Sequence, residues 1–141
     1  MKYVLDSSVA FKWAIVEADT AKARALRDDY CNGSHELISP DFFPIEIGHG
    51  LTHAERQGKI TLSQAALLWR AVMQTSPLLV PALPLSPRAI DISSRTRQGV
   101  YDCVYVALAE RESCELVTAD DKLIKKLQPL FPFIVALSSL P

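Results

Sequence analysis

Four acidic residues stand where the surrounding sequence has no evident use for a charge. Asp6 closes the apolar run Tyr3-Val4-Leu5, and Asp120 follows Leu116-Val117-Thr118-Ala119. Glu46 is the single charge in Phe42-Phe43-Pro44-Ile45-Glu46-Ile47, and Asp102 is the single charge between Val100 and Ala109. No lysine or arginine lies within one helical turn of Glu46 or Asp102. Burying one unpaired carboxylate costs several kcal/mol. Bringing two of them to ~4 Å adds roughly 4 kcal/mol at an effective dielectric near ~20. A divalent cation removes both costs, and hard, oxygen-rich sites suit Mg²⁺ or Mn²⁺. Such ions polarise phosphodiesters and activate water. Hydroxyls stand near two of the acids: Ser7 and Ser8 after Asp6, Thr118 before Asp120.

Plainer readings compete. Asp6 can cap a helix, Asp102 can be a first-turn acid favoured by the helix dipole, and Asp120 or Asp121 can cap a last helix. Glu46, read as mid-helix, caps nothing. Glu46, His49 and His53 share a helix face at i, i+3 and i+7, which raises a histidine-metal site as a rival. Di-metal bundles need two Glu-x-x-His copies, and this chain has one. It contains no HExxH, no G-x-S-x-G elbow and no Gly-rich phosphate cradle.

The elements that must carry these acids follow from the apolar pattern. Tyr3 to Leu5 reads as a strand buried on both faces, followed by a tight turn and a helix over Val9 to Val16. Asp19-Thr20 opens a second helix, with Ala23, Leu26 and Tyr30 on one face, ended by Asn32-Gly33. Leu37-Ile38 is a short strand closed by Pro40. Asp41 caps a helix from Phe42 to Gln57, stopped by Gly58. Thr61 to Gln64 fits a capping box before a helix with the stripe Leu62, Ala65, Ala66, Trp69 and Val72. Leu78 to Val80, between prolines, is an edge strand. Ser86-Pro87 starts a helix to Gln98, with Ser86 as its cap, and Gly99 closes it. Val100 to Glu112 is a helix, Glu115 to Val117 a strand, Asp121 to Gln128 a helix and Phe133 to Leu137 a last β-rich run. This order, β-α-α-β-α-α-β-α-α-β-α-β, predicts a parallel sheet flanked by helices. In such sheets ligands bind beyond the carboxyl ends of the strands, which is where Asp6 and Asp120 fall.

The chain has 141 residues, 49% hydrophobic and 22% charged, which fits one domain over residues 1–141 with a real core. A net charge of -1 argues against gripping nucleic acid by bulk electrostatics. Three cysteines without a CxxC are read as reduced thiols filling space, in a cytoplasmic protein. The N-terminal apolar run is too short for a signal peptide or a membrane span.

Four segments together resemble the landmarks of PIN domains: Val4-Leu5-Asp6-Ser7-Ser8, Pro40 through Glu46 to Leu51, Val100-Tyr101-Asp102 through Glu110, and Leu116-Val117-Thr118-Ala119-Asp120. At this length the chain is similar to the VapC-type toxins of bacterial toxin–antitoxin pairs. The resemblance implies a PIN-like three-layer α/β/α fold and a Mg²⁺- or Mn²⁺-dependent endoribonuclease. It implies a cognate antitoxin, an RNA substrate and a homodimer. The acids carry over as the catalytic and metal-binding set Asp6, Glu46, Asp102 and Asp120, with Thr118 and Ser7 as supporting hydroxyls. One departure stands out: an asparagine is common three residues after the helix glutamate, and here that residue is His49. Gly48 and Gly50, poor helix formers, flank it.

Two alternatives carry different expectations. A non-catalytic PIN-like module would bind RNA or a protein without cutting. A receiver or haloacid phosphatase would use an acid pocket for phosphotransfer, but the phosphatase's Asp-x-Asp after the first strand is missing. RNA held at an acidic pocket also needs basic residues at its rim. The candidates are Lys12, Arg95, Arg97, Lys122, Lys125 and Lys126. The apolar stripe of the fourth helix and the apolar faces of the first helices exceed what the sheet must cover, so part of them is expected to be an interface.

Overall fold

A computed structural model describes residues 1–141. Its centre is β1 (Lys2–Leu5), flanked by β2 (Glu36–Pro40) and β4 (Glu115–Thr118). With β3 (Leu78–Val80) and β5 (Ile134–Ala136) outside them, the sheet has the order β3-β2-β1-β4-β5. Every pairing is parallel, and Val4 lies opposite both Ile38 and Leu116. The expected element order is met throughout.

Alternation along the strands sends successive side chains to opposite faces, and each face has its own core. Val4, Ile38, Leu116 and Ile134 pack under α5 (Ser86–Thr96), α6 (Val100–Glu112) and α7 (Asp121–Leu127). Leu5, Leu37 and Val117 pack under α1 (Ser7–Ala14), α2 (Thr20–Cys31), α3 (Phe43–Arg56) and α4 (Gln64–Met73). This is the expected three-layer α/β/α arrangement. Between its cores the sheet is stitched by the buried Ser39 hydroxyl, which donates to the Leu5 carbonyl at 2.6 Å.

Several local readings are corrected. Asp41 does not cap α3; Phe42 holds that position, and the Asp41 carboxylate accepts from the Ala82 N–H at 3.3 Å, tying β2 to the turn after β3. Because α3 begins at Phe43, Glu46 lies in its first turn rather than mid-helix. Asp19 precedes α2 with φ 63 and makes no side-chain cap. Half of the capping box forms: Gln64 accepts from the Thr61 N–H at 2.7 Å, while Ser63 is the residue preceding α4. The Ser86 hydroxyl turns back to the Ala82 carbonyl instead of capping α5. That helix ends at Arg97, whose φ of 67 breaks it before Gly99. The α4 stripe is not one buried face either. Ala65 and Val72 are buried, but Leu62 precedes the helix and is 87% exposed.

Candidate active site

The acids come together because the order of the strands reverses at β1, in the centre of the sheet. From β1 the chain crosses to β2 on one side, and β4 lies on the other. The carboxyl ends of β1 and β4 therefore border the crevice where α/β sheets bind ligands. Asp6 follows β1, and Asp120 lies two residues beyond β4. The first turns of α3 and α6 bring Glu46 and Asp102 to the same place. All four acids line one pocket of about 290 Å³, together with Ser7, Ser8, Phe11, His53, Gln57 and Lys59.

Each acid has one oxygen held by an uncharged donor. Asp6 is 4% exposed and stands before α1 without capping it. Its Oδ2 accepts from the Ser8 hydroxyl at 2.5 Å and the Thr118 hydroxyl at 2.8 Å. Glu46 Oε1 accepts from the Tyr105 hydroxyl at 2.7 Å. Asp102 Oδ2 accepts from the Gln98 amide at 2.7 Å. Asp120 Oδ1 caps α7 by accepting from the Lys122 and Leu123 N–H groups. Thr118 itself is fully buried behind the pocket, where it also accepts from the Asp120 N–H at 3.1 Å. Its hydroxyl thus links the two strand-end acids.

The second oxygens, Asp6 Oδ1, Glu46 Oε2, Asp102 Oδ1 and Asp120 Oδ2, accept no hydrogen bond of good geometry, with only the Ser7 hydroxyl near the Glu46 carboxylate, yet no polar side-chain atom is left buried without a partner. These oxygens are therefore open to solvent. None of the four acids forms an ion pair, and the electrostatics show it. Burial, reinforced by the charges of Asp102 and Glu46, pushes the Asp6 carboxyl up to about 7 despite its two hydroxyl donors. Burial also raises Glu46, with Tyr105 pulling the other way, and raises Asp102, with Gln98 opposing and Asp120 adding to the rise. The buried Tyr105 phenol is pushed well above its ordinary value and remains a hydrogen donor.

A hard divalent cation fits this donor set, which is all oxygen, acidic and free of bulky partners. As placed, however, no three of the acids stand close enough to enclose an ion among themselves. The pocket brings them together; closure on an ion needs water in the remaining positions, which is how Mg²⁺ is ordinarily held.

The rim differs from the sequence expectation. Lys12 pairs with Glu17 at 3.2 Å and borders a separate hollow beside Asp19 and Asp121. Arg95 pairs with Asp91 at 2.9 Å. Neither they nor Arg97, Lys122, Lys125 and Lys126 line the acid pocket; its one lysine is Lys59. Lys59 arrives there because Gly58, at φ 74, reverses the chain after α3. Of Glu46, His49 and His53, only Glu46 and His53 line the acid pocket; His49 lines an adjoining cavity that it shares with Glu46 and Ser7, and the groove between α3 and α4. Sequence reasoning missed Tyr105 and Gln98. Their positions, three residues after and four before Asp102, are the signal that could have found them.

Comparison with known proteins agrees with this geometry. Residues 3–127 match the PIN domain family. Ribonuclease VapC1 of Mycobacterium tuberculosis is 31% identical over 129 residues, covering 84% of this chain and 90% of that protein. VapC ribonuclease Mb0985 of Mycobacterium bovis is 32% identical over 127 residues, covering 86% and 96%. The crystal structure of PAE2754 from Pyrobaculum aerophilum superposes with a TM-score of 0.69 at 21% identity, covering 99% of this chain and 94% of that one, and supports the fold. With the family matched over most of its length and its acids gathered at the strand ends, this chain belongs to the PIN-domain family, among proteins of the VapC type.

Proposed function

We propose that this protein is a Mg²⁺- or Mn²⁺-dependent endoribonuclease, the toxin of a toxin–antitoxin pair, and that residues 1–141 act as one such domain. The similar mycobacterial proteins bear the name ribonuclease. The observation that carries the reading to this chain is the pocket itself. Asp6, Glu46, Asp102 and Asp120 each offer a carboxylate oxygen that no lysine or arginine pairs with, although Lys59 lines the same pocket. An acid set this costly to keep unpaired is explained by an ion that it holds.

A divalent ion bound there supplies charge neutralisation and Lewis acidity toward an RNA phosphodiester. The carboxylates would hold it through their free oxygens with water completing the coordination, since no three of them enclose an ion as placed. Ser8 and Thr118 keep Asp6 turned toward the pocket, and Thr118 also sets the backbone at Asp120. A carboxylate not fully engaged by the ion orients the attacking water and takes its proton. Lys59 and His53, on the same pocket, meet the phosphates flanking the scissile bond. With so few cationic groups at hand, binding is modest, and unpaired RNA that can enter the crevice is cut in preference to duplex.

The proposed partners are an antitoxin segment and a second copy of the chain. Ile45, 75% exposed, lines a groove between α3 and α4 together with Ala65, Ala66 and Trp69, and this apolar groove is the surface proposed for them. No helix is long and apolar enough to cross a membrane.

The test is cleavage of a structured RNA by purified protein. Cutting at unpaired sites with Mg²⁺ or Mn²⁺, stopped by chelation, is expected. Cutting that persists in excess chelator, or equal cutting of duplex DNA, overturns the metal mechanism and the substrate class. Binding of RNA with no cleavage under any divalent ion favours a non-catalytic module.

A further inference from the structure

Tyr105 is fully buried in the core, yet its hydroxyl ends on a carboxylate of the pocket. It lies three residues after Asp102 on α6, so one helix face presents both an acid of the pocket and a donor to another acid. The phenol is held on its own account. Its ring packs edge-on against Phe42, with centroids 5.6 Å apart and planes at 82°. Phe42 is the residue that precedes α3, the helix carrying Glu46. The Tyr105 side chain therefore bridges α6 to the start of α3 and reaches Glu46 Oε1 from the protein interior at 2.7 Å.

Glutamate has three rotatable side-chain bonds, and no backbone N–H or cation fixes Glu46. In hydrogen-bond geometry Glu46 has one donor, the Tyr105 hydroxyl, with the Ser7 hydroxyl a weaker influence; Asp102 also has one, the Gln98 amide, whereas Asp6 has two hydroxyls and Asp120 two backbone donors. From this geometry we infer that Tyr105 is a positioning residue: its hydroxyl fixes Oε1 of Glu46 so that Oε2 alone is presented to a divalent ion in the pocket. The inference rests on the metal-dependent reading of the site. Outer-shell partners of this kind commonly set metal affinity by roughly 10- to 100-fold.

Tyr105→Phe removes the hydroxyl and keeps the ring against Phe42. Mn²⁺ binding is measured by titration calorimetry on wild type, Tyr105→Phe, Glu46→Gln and the double variant, with circular dichroism melts in chelator as the control for folding. The expected result is a Mn²⁺ Kd raised roughly 10- to 100-fold in Tyr105→Phe. RNA cleavage by that variant then recovers toward the wild-type rate as Mn²⁺ is raised to saturation. In the Glu46→Gln background, Tyr105→Phe should add no further loss, because the group it positions is gone. A Tyr105→Phe protein that melts lower but binds Mn²⁺ like wild type has lost only packing, and overturns the inference while leaving the metal reading intact. Additive losses in the double variant overturn it equally. Wild type that binds no Mn²⁺ overturns the metal reading, and this inference with it.

Discussion

Replacing Asp6 by asparagine should stabilise the metal-free protein above neutral pH while removing its ability to respond to Mg²⁺ or Mn²⁺. In the folded chain Asp6 holds its proton up to about 7, against 3.8 for the free side chain, chiefly because it is buried. Between those values the folded state binds more protons than the unfolded one. Stability therefore falls as pH rises through that window, and the loss is complete once Asp6 has ionised in both states. The difference between 3.8 and about 7, at about 1.4 kcal/mol for each pH unit, corresponds to roughly 4 kcal/mol of cost above neutrality. Asparagine keeps an oxygen for the Ser8 and Thr118 hydroxyls and carries no charge to desolvate. Relaxation around the new amide consumes part of the difference, so a gain of about 1 to 4 kcal/mol near pH ~8 is expected. Urea unfolding in chelator at pH ~5 and pH ~8 measures it, and the gap between variant and wild type should widen by roughly 2 kcal/mol between the two. With Mn²⁺ added, wild type should recover stability by mass action and Asp6→Asn should not. A variant less stable than wild type at the higher pH, or a gap that does not change with pH, would refute the account of Asp6 as a carboxylate kept at a cost for its ligand.

Asp102→Asn and Glu46→Gln are each expected to lower cleavage by at least about 100-fold at fixed Mg²⁺ while the far-ultraviolet dichroism spectrum stays that of wild type; unchanged rates would remove them from the site. Lys59→Ala should raise KM more than it lowers kcat and should reduce the slope of log affinity against log salt by about one, since it deletes one phosphate contact; an unchanged slope places Lys59 outside the RNA path. Gly48→Ala should raise stability by about 0.5 to 1 kcal/mol in thermal melts. A Cβ there meets Trp69 at an ordinary 3.8 Å. The same change at Gly50 should gain less or destabilise, because its Cβ would stand 3.1 Å from the Phe11 ring; equal gains at both positions would contradict the packing seen between α1 and α3.

The order of elements was legible in the sequence because local rules determine it. Continuous apolar runs make strands buried on both faces, 3.6-residue periodicity marks the helices, and prolines around Leu78 to Val80 confine that strand to an edge. The four acids could be singled out for the same reason: a charge in an apolar run stands out without knowledge of the fold. Cap assignments were less legible. Asp41, Asp19 and Ser86 are chemically able to cap, but their side chains or backbones are claimed by other local geometry, such as the Ala82 N–H that Asp41 serves.

What the sequence by itself determined is thus which acids stand in apolar segments and the layers of secondary structure around them. What only the tertiary structure decided is which neutral groups hold those acids and which cation stands beside them. Tyr105 and Gln98 look like ordinary residues of a helix and its approach until α6 is laid against α3. Lys59 lies 53 residues beyond Asp6 in the sequence and reaches the pocket through the turn at Gly58. The basic residues nearest the acids in sequence, Lys12 and Lys122, point elsewhere. The physical reason is that the periodicity of a chain records which face of an element is apolar, whereas a pocket is made where the polar ends of several elements meet. Their distances there are set by how the two cores pack on the sheet, and no local pattern encodes them.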